Sequence, residues 1–147
     1  IKCSIGKRGL TSRKREGDLK TPKGSFGFNL LYYRADRIKN IKTKIKRKKI
    51  QKKFGWCDDP SSKYYNKLIQ FPFRGTAEKL YLGNNMYDII LVLNFNTKPV
   101  IKNRGSAIFL HITNKKFNYT KGCLAVKKRD LIKILPFINK RTKIIIS

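Results

Sequence analysis

His111 is the only histidine in 147 residues, and it closes the run Gly105-Ser106-Ala107-Ile108-Phe109-Leu110-His111. Cys123 follows twelve residues later, in Tyr119-Thr120-Lys121-Gly122-Cys123-Leu124. An imidazole and a thiol are the minimum parts for acyl transfer through a thioester. The thiolate attacks a carbonyl, and imidazole takes and returns the proton near neutral pH. Gly122 has no Cβ, so backbone here can approach a substrate closely, and the amides from Tyr119 to Cys123 are the candidate oxyanion donors. Among the three cysteines Cys123 has the best electrostatic case: Lys121, Lys127 and Lys128 surround it, and positive charge lowers a thiol pKa. Cys57 precedes Asp58 and Asp59, whose charge disfavours a thiolate. Cys3 and Cys57 are the pair that a disulfide would join in an oxidising compartment. No CxxC or HxxxH spacing exists, so neither a zinc site nor any other metal or cofactor is expected.

The elements that must hold this pair are mostly strands. Ala107, Phe109 and His111 alternate with Ile108, Leu110 and Ile112, so His111 projects from one face of a strand. Tyr87 to Phe95 is a mostly apolar run, rich in β-branched residues and crossed only by Asp88 and Asn94, as in a central strand, and Asn96-Thr97-Lys98-Pro99 ends it. Phe26, Phe28, Leu30 and Tyr32 alternate after a turn at Thr21-Pro22-Lys23-Gly24, which predicts a strand with one buried face. Residues 36 to 53 are ambiguous: Ile38, Ile41, Ile45 and Ile50 hint at helical spacing, while the charge density favours extended chain. Asp58 to Ser62 reads as a loop. Leu131, Ile134, Leu135 and Ile138 predict a short helix from about Lys127 that Pro136 ends or kinks. Thr142 to Ile146 is a final strand. The sum is a single domain over 1–147, mainly β, a curved sandwich or barrel-like sheet with one or two short helices.

Charge narrows the partners. Net charge is +28, from 36 basic and 8 acidic residues, which makes a polyanion the first suspect. Lysine far outnumbers arginine, however, and base or phosphate recognition favours the bidentate arginine fork, so no specific nucleic acid is expected. The densest block, Lys39 to Lys53, is either a solvated edge kept from aggregating by lysine or a surface that draws anionic polymers. No apolar stretch reaches 18 residues, so no transmembrane segment is expected.

Ordered motifs add a resemblance. Gly6-Lys7-Arg8-Gly9, Lys14-Arg15-Glu16-Gly17-Asp18 with Thr21-Pro22-Lys23-Gly24, Gly55-Trp56-Cys57-Asp58-Asp59-Pro60 with Tyr65-Asn66, Glu78-Lys79-Leu80, Met86-Tyr87-Asp88, Asn94-Phe95-Asn96 and the His111 and Cys123 blocks fall in order along the chain. Together they resemble the L,D-transpeptidase catalytic domain (YkuD-like), most closely its short proteobacterial branch. The wider family carries Ser-His-Gly-Cys at the nucleophile and often an Arg two residues on; Thr120-Lys121-Gly122-Cys123 and Ala125 stand here instead.

The resemblance implies a periplasmic, cell-wall enzyme with Cys123 as nucleophile, His111 as base and Gly122 in the oxyanion hole. Its substrates would be peptidoglycan stem peptides, its candidate inhibitors carbapenems, and a backbone carbonyl near the nucleophile would hold the imidazole. Substrate-binding candidates are Arg104, Thr120, Lys121, Tyr87, Trp56 and Asp58. Arg104 either pairs with a substrate carboxylate or is a surface charge. Thr120 bonds either its own loop or the substrate, and Tyr87 is either cleft wall or core. Asp58 and Asp59 either bind an amine or cap a turn. Three functions stay open: wall transpeptidase, hydrolase of stem peptides, and polyanion-binding domain without catalysis.

Overall fold

The computed structural model describes residues 1–147. Its strands are β1 (Cys3–Ser4), β2 (Leu10–Thr11), β3 (Thr21–Pro22), β4 (Gly24–Tyr33), β5 (Arg47–Lys49), β6 (Phe54–Cys57), β7 (Leu68–Gln70), β8 (Ala77–Lys79), β9 (Ile89–Leu93), β10 (Phe109–Ile112), β11 (Leu124–Val126) and β12 (Lys143–Ile146). One helix, α1 (Lys128–Ile134), runs into a 3-10 turn at Leu135–Phe137. The mainly β architecture expected from the sequence is the one that forms. A seven-stranded sheet has the order β1-β11-β10-β9-β4-β12, with β5 beside β4; β7-β6-β8 form a second sheet, and β2 and β3 a short pair.

The apolar run around residues 89 to 93 becomes β9, antiparallel to both β10 and β4 and buried along its whole length. A strand flanked on both edges and covered on both faces needs no polar side chain, which is why the run is unbroken. Alternation on β10 sorts side chains as the sequence predicts. Ile108, Leu110 and Ile112 enter one core with Leu131, Leu135 and Ile138 of the helical segment. Ala107 and Phe109 enter a second core with Phe54 and Trp56 of β6, Ile90 and Val92 of β9, and Tyr87. The main sheet is thus the middle layer, with α1 on one face and the small sheet on the other.

Three local expectations change. The alternation Phe26-Phe28-Leu30-Tyr32 does not put one face inward, because the β4–β9 register shifts between Phe28 and Leu30. A bulge there takes one residue out of step: Phe28 and Leu31 pack under α1, while Leu30 and Tyr32 reach the other core. Thr21-Pro22 is not a turn but β3, parallel to β2, where the Thr21 hydroxyl accepts the Gly6 N–H at 2.8 Å. The strand holding His111 begins at Phe109 rather than Ser106, because Ala107 has φ 52° and leaves the ladder.

Residues 36 to 53 resolve as extended chain with only β5 regular. Ile38, Ile41 and Ile45 are buried under the helix side of the sheet and Ile50 on the other. Helix α1 starts where the sequence put it. Pro136 lies in the first turn of the 3-10 segment, where its missing N–H breaks no α-helical bond.

Candidate active site

The parallel pairing of β10 with β11 sets the site. His111 is in register with Ala125, and partners in register point to the same face. Cys123 lies two residues before Ala125, so it shares that face with His111. Strands about 4.8 Å apart with about 3.3 Å per residue put the two Cα atoms roughly 8 Å apart on ideal geometry, close enough for facing side chains to meet. Both line a cleft of about 620 Å³, together with Tyr87, Glu78, Asp58 and Glu16.

Cys123 is buried, and its Sγ donates to the Ala107 carbonyl oxygen at 3.0 Å. It also accepts the Phe109 N–H at 3.4 Å. The positive φ of Ala107 is costly for a residue with a Cβ, by about 1–3 kcal/mol, and this is the residue whose carbonyl receives the thiol. Asn66 braces the turn: its Oδ1 accepts the Ala107 N–H at 3.0 Å and the Trp56 indole N–H at 2.9 Å.

Burial pushes the Cys123 thiol up to about 12, and the Glu78 carboxylate adds to the shift; the Phe109 N–H and Lys14 oppose it. This corrects the electrostatic expectation. Lys121, Lys127 and Lys128 are neighbours in sequence, but Lys121 and Lys127 are exposed to water and Lys127 lies over the Phe117 ring, 5.5 Å from its centroid. The cation that acts on the thiol is the buried Lys14. The resting pair is therefore a neutral thiol beside a neutral imidazole, since burial also lowers the pKa of His111.

The tautomer of His111 follows from its contact. Nδ1 is 2.9 Å from the Ile112 carbonyl oxygen. A carbonyl can only accept, so Nδ1 carries the proton and Nε2 is left with its lone pair for a base. A backbone carbonyl does hold the imidazole, but it comes from the next residue of the same strand rather than from the nucleophile loop. The Tyr87 ring meets the imidazole edge to face, with centroids 5.1 Å apart, and its hydroxyl donates to Glu78 Oε1 at 2.6 Å. Tyr87 is thus both core and cleft wall.

The loop before Cys123 is tied down by Thr120. Its hydroxyl donates to the Cys123 carbonyl oxygen at 2.7 Å and accepts the Gly122 N–H at 3.1 Å. That contact gives Thr120 the loop role, one of the two the sequence left open. It also occupies the Gly122 N–H, which does not point at an oxyanion in this state. Gly122 is needed for another reason. Its φ is +144°, and a Cβ there would lie 2.9 Å from the Lys20 carbonyl oxygen. The Cys123 N–H has no acceptor among the loop hydrogen bonds.

The other candidates divide. Lys121 and Asp58 line the cleft. Asp59, not Asp58, caps the turn: its Oδ1 accepts the Ser61 N–H at 2.9 Å and the Ser61 hydroxyl at 2.7 Å. Trp56 is absent from the cleft wall, because its ring is consumed by the core, edge to face with Phe109 at 5.3 Å. Arg104 is also outside the cleft, exposed in the turn that precedes Gly105. Cys3 and Cys57 are not bonded: Cys3 is exposed on β1 and Cys57 buried in β6. Three cleft residues were given no role by the sequence: Glu16, Glu78 and Lys14. The usable signal was rarity, since these are the only two glutamates in a chain with 36 bases.

No curated protein and no solved structure matches this chain. The family model of the YkuD domain, the L,D-transpeptidase catalytic domain, matches residues 1–146. A lone thiol and a lone imidazole on one face of parallel strands, over a cleft and within that match, make the chain a member of the L,D-transpeptidase (YkuD) family.

Proposed function

We propose that this chain is a cysteine-dependent L,D-transpeptidase of the periplasm, joining peptidoglycan stem peptides and so maintaining wall integrity and cell shape. The observation that carries the reading is the His111 tautomer, with the Nδ1 proton on the Ile112 carbonyl, in a cleft shared with Cys123. In the first half-reaction Cys123 Sγ attacks the carbonyl that joins the third residue of a tetrapeptide stem to its terminal D-Ala. The thiol proton leaves the Ala107 carbonyl for His111 and passes to the departing D-Ala amine. The Cys123 N–H stabilises the tetrahedral oxyanion, a contribution of about 10²–10³ in rate for one such donor. A thioester remains. An amine of a second stem then attacks it, the C–S bond breaks, and a crosslink forms with the thiol restored.

The pKa values support a proton transfer coupled to attack rather than a preformed ion pair, because the thiol and the imidazole are both neutral at rest. A carbapenem carbonyl would enter the same thioester and add its mass to Cys123. The test is mass spectrometry of tetrapeptide muropeptides incubated with the protein and with Cys123→Ala. A dimer lacking one D-Ala, formed only with Cys123 present, supports transpeptidation. Tripeptide monomer alone identifies a carboxypeptidase. No product from a folded protein removes both catalytic readings for this substrate and leaves polyanion binding.

A further inference from the structure

Of all the lysines in this chain only Lys14 is buried, at 6% exposure. Burying an ammonium group is costly, and a hydrocarbon side chain would fill the same slot with less penalty. The slot lies against two turns that carry the chemistry. A Cβ on Gly105 would meet Lys14 Cγ at 2.8 Å and Cε at 3.3 Å, and a Cβ on Gly122 would meet Cε at 3.6 Å. Gly105 opens the turn to Ala107, whose carbonyl oxygen receives the thiol, and Gly122 precedes Cys123. Both glycines have positive φ, 96° and 144°, and the stem of Lys14 packs where their side chains would otherwise stand.

The head group is fixed as firmly as the stem. Nζ donates to the Arg15 carbonyl oxygen at 2.7 Å and to Asp18 Oδ1. Asp18 also accepts the Arg15 and Lys20 N–H groups, each at 2.9 Å. The Glu16 N–H donates to the Asn103 carbonyl oxygen at 3.0 Å, which ties this segment to the chain just before Gly105. The two charges of the pair face different spaces. Lys14 lines the cleft of Cys123 and His111, while Asp18 lines a separate surface basin. Only the positive end of the pair belongs to the cleft.

The other groups around the thiol do not supply what Lys14 supplies. Glu78 on β8 opposes a thiolate. Tyr87, ahead of β9, and His111 on β10 are neutral at rest. Glu16 and Asp58 line the same cleft with further carboxyl groups, and Lys121 is exposed to water.

We propose that Lys14 is a positioning residue for acyl transfer: its stem sets the Gly105 and Gly122 turns, and its ammonium group, oriented by Asp18, stabilises the thiolate that forms when the Cys123 proton passes to His111. Asp18 holds the ammonium in place and at the same time weakens its field. The proposal deepens the thioester reading above, and its test needs no stem peptide.

That test is alkylation by iodoacetamide between pH 8 and 10, read on the Cys123 peptide by mass spectrometry so that Cys3 and Cys57 do not contribute. Lys14→Met keeps a stem of similar length without the charge. It should slow the reaction about threefold, because a tenfold fall in thiolate is about half offset by its higher nucleophilicity. Asp18→Asn releases the ammonium from its counter-charge and should speed the reaction about twofold. The double variant should lie between the two. Loss of packing alone would move both single variants the same way. Shifts of one sign, or no shift in Lys14→Met, overturn the proposal. Where Lys14→Met fails to fold, Asp18→Asn decides alone, since it leaves the stem in place: acceleration with a thermal midpoint near the parent's supports the proposal, and any other result overturns it.

Muropeptide turnover is read separately. Product without opposite shifts would sink the role of Lys14 alone. Opposite shifts without product would leave that role and remove the transpeptidase reading.

Discussion

The two faces of the main sheet solve opposite problems with the same strands. Under α1, the even-numbered side chains around β10 enter a hydrocarbon core: Ile108, Leu110 and Ile112 pack with Leu131, Leu135 and the isoleucines of the lysine-rich segment, which turns its charges outward. On the other face the aromatic core of Trp56, Phe109 and Tyr87 stops short, and the space beyond it is lined by a thiol, an imidazole and carboxylates. One face is finished by burial. The other is left polar where burial would have been cheaper, and that is where chemistry is supported. Parity around β10 thus decides which face a side chain joins, and on the odd face Phe109 completes the core while His111 lines the cleft.

Substitutions should separate these roles. The largest effect is expected for Cys123→Ala, which should abolish acyl-enzyme formation by intact-protein mass spectrometry with a thermal midpoint near that of the parent. Any adduct retained elsewhere would contradict the assignment of the nucleophile. Leu131→Ala, on the closed face, should cost about 2–5 kcal/mol in denaturant unfolding while the folded fraction keeps its acylation rate. Loss of rate beyond loss of fold would join the two faces that we separate.

Titration gives the next effect. Because the folded Cys123 pKa is about 12, alkylation by iodoacetamide should rise about tenfold per pH unit from pH 8 to 10 without a plateau, whereas an ordinary thiol levels off near pH 8.5–9. The exposed Cys3 should react first. The linkage signs oppose each other. Cys123, raised on folding, contributes stability that is present below the ordinary thiol pKa and is lost as pH rises through about 12. His111, lowered on folding, contributes stability present above the ordinary imidazole pKa and lost as pH falls below it.

Tyr87→Phe should cost about 1 kcal/mol of stability for the lost hydrogen bond and slow acylation by about tenfold through looser Glu78 and imidazole positions. An unchanged rate would make Tyr87 a core residue only. The smallest effect is expected for Lys48→Glu on the exposed β5, within about 0.5 kcal/mol. It should still weaken salt-sensitive adhesion to an anionic polymer, read as retention on heparin.

Much of this was legible in the sequence because periodicity and residue scarcity are local signals. The unbroken run that became β9, the alternation around His111 and the spacing of Leu131, Leu135 and Ile138 each describe one element and one environment. A single histidine and one Gly-preceded cysteine could be paired without a structure. What was not legible depends on contacts across the chain. Lys14 and Glu78 reach the thiol from opposite sides of the sequence, so the electrostatics of Cys123 could not be read from Lys121, Lys127 and Lys128. The bulge in β4 leaves no mark in composition, and Ala107 gives no hint of a positive φ. Thr120 stayed open between loop and substrate because only the folded loop shows its hydroxyl bonded to Cys123 and Gly122. Arg104 and Trp56 came from the family resemblance, and the fold places the one on an exposed turn and the other in the core, outside the cleft.

The edges of the main sheet carry a consequence for how the chain becomes active. The strand after the nucleophile, β11, takes its outer partner from the other end of the chain, with Cys3 opposite Val126; the first half of β4 is covered by β12, with Ile144 opposite Phe26. Contacts this distant in sequence close slowly and late. A ribosome must release the chain through Val126 before the first edge is sealed and through Ile146 before the second, so the thiol is assembled late. Chains ending before Lys143 would leave Gly24 to Gly27 as an open strand, prone to pair with a neighbouring copy. Premature termination should therefore yield aggregates rather than a partial enzyme.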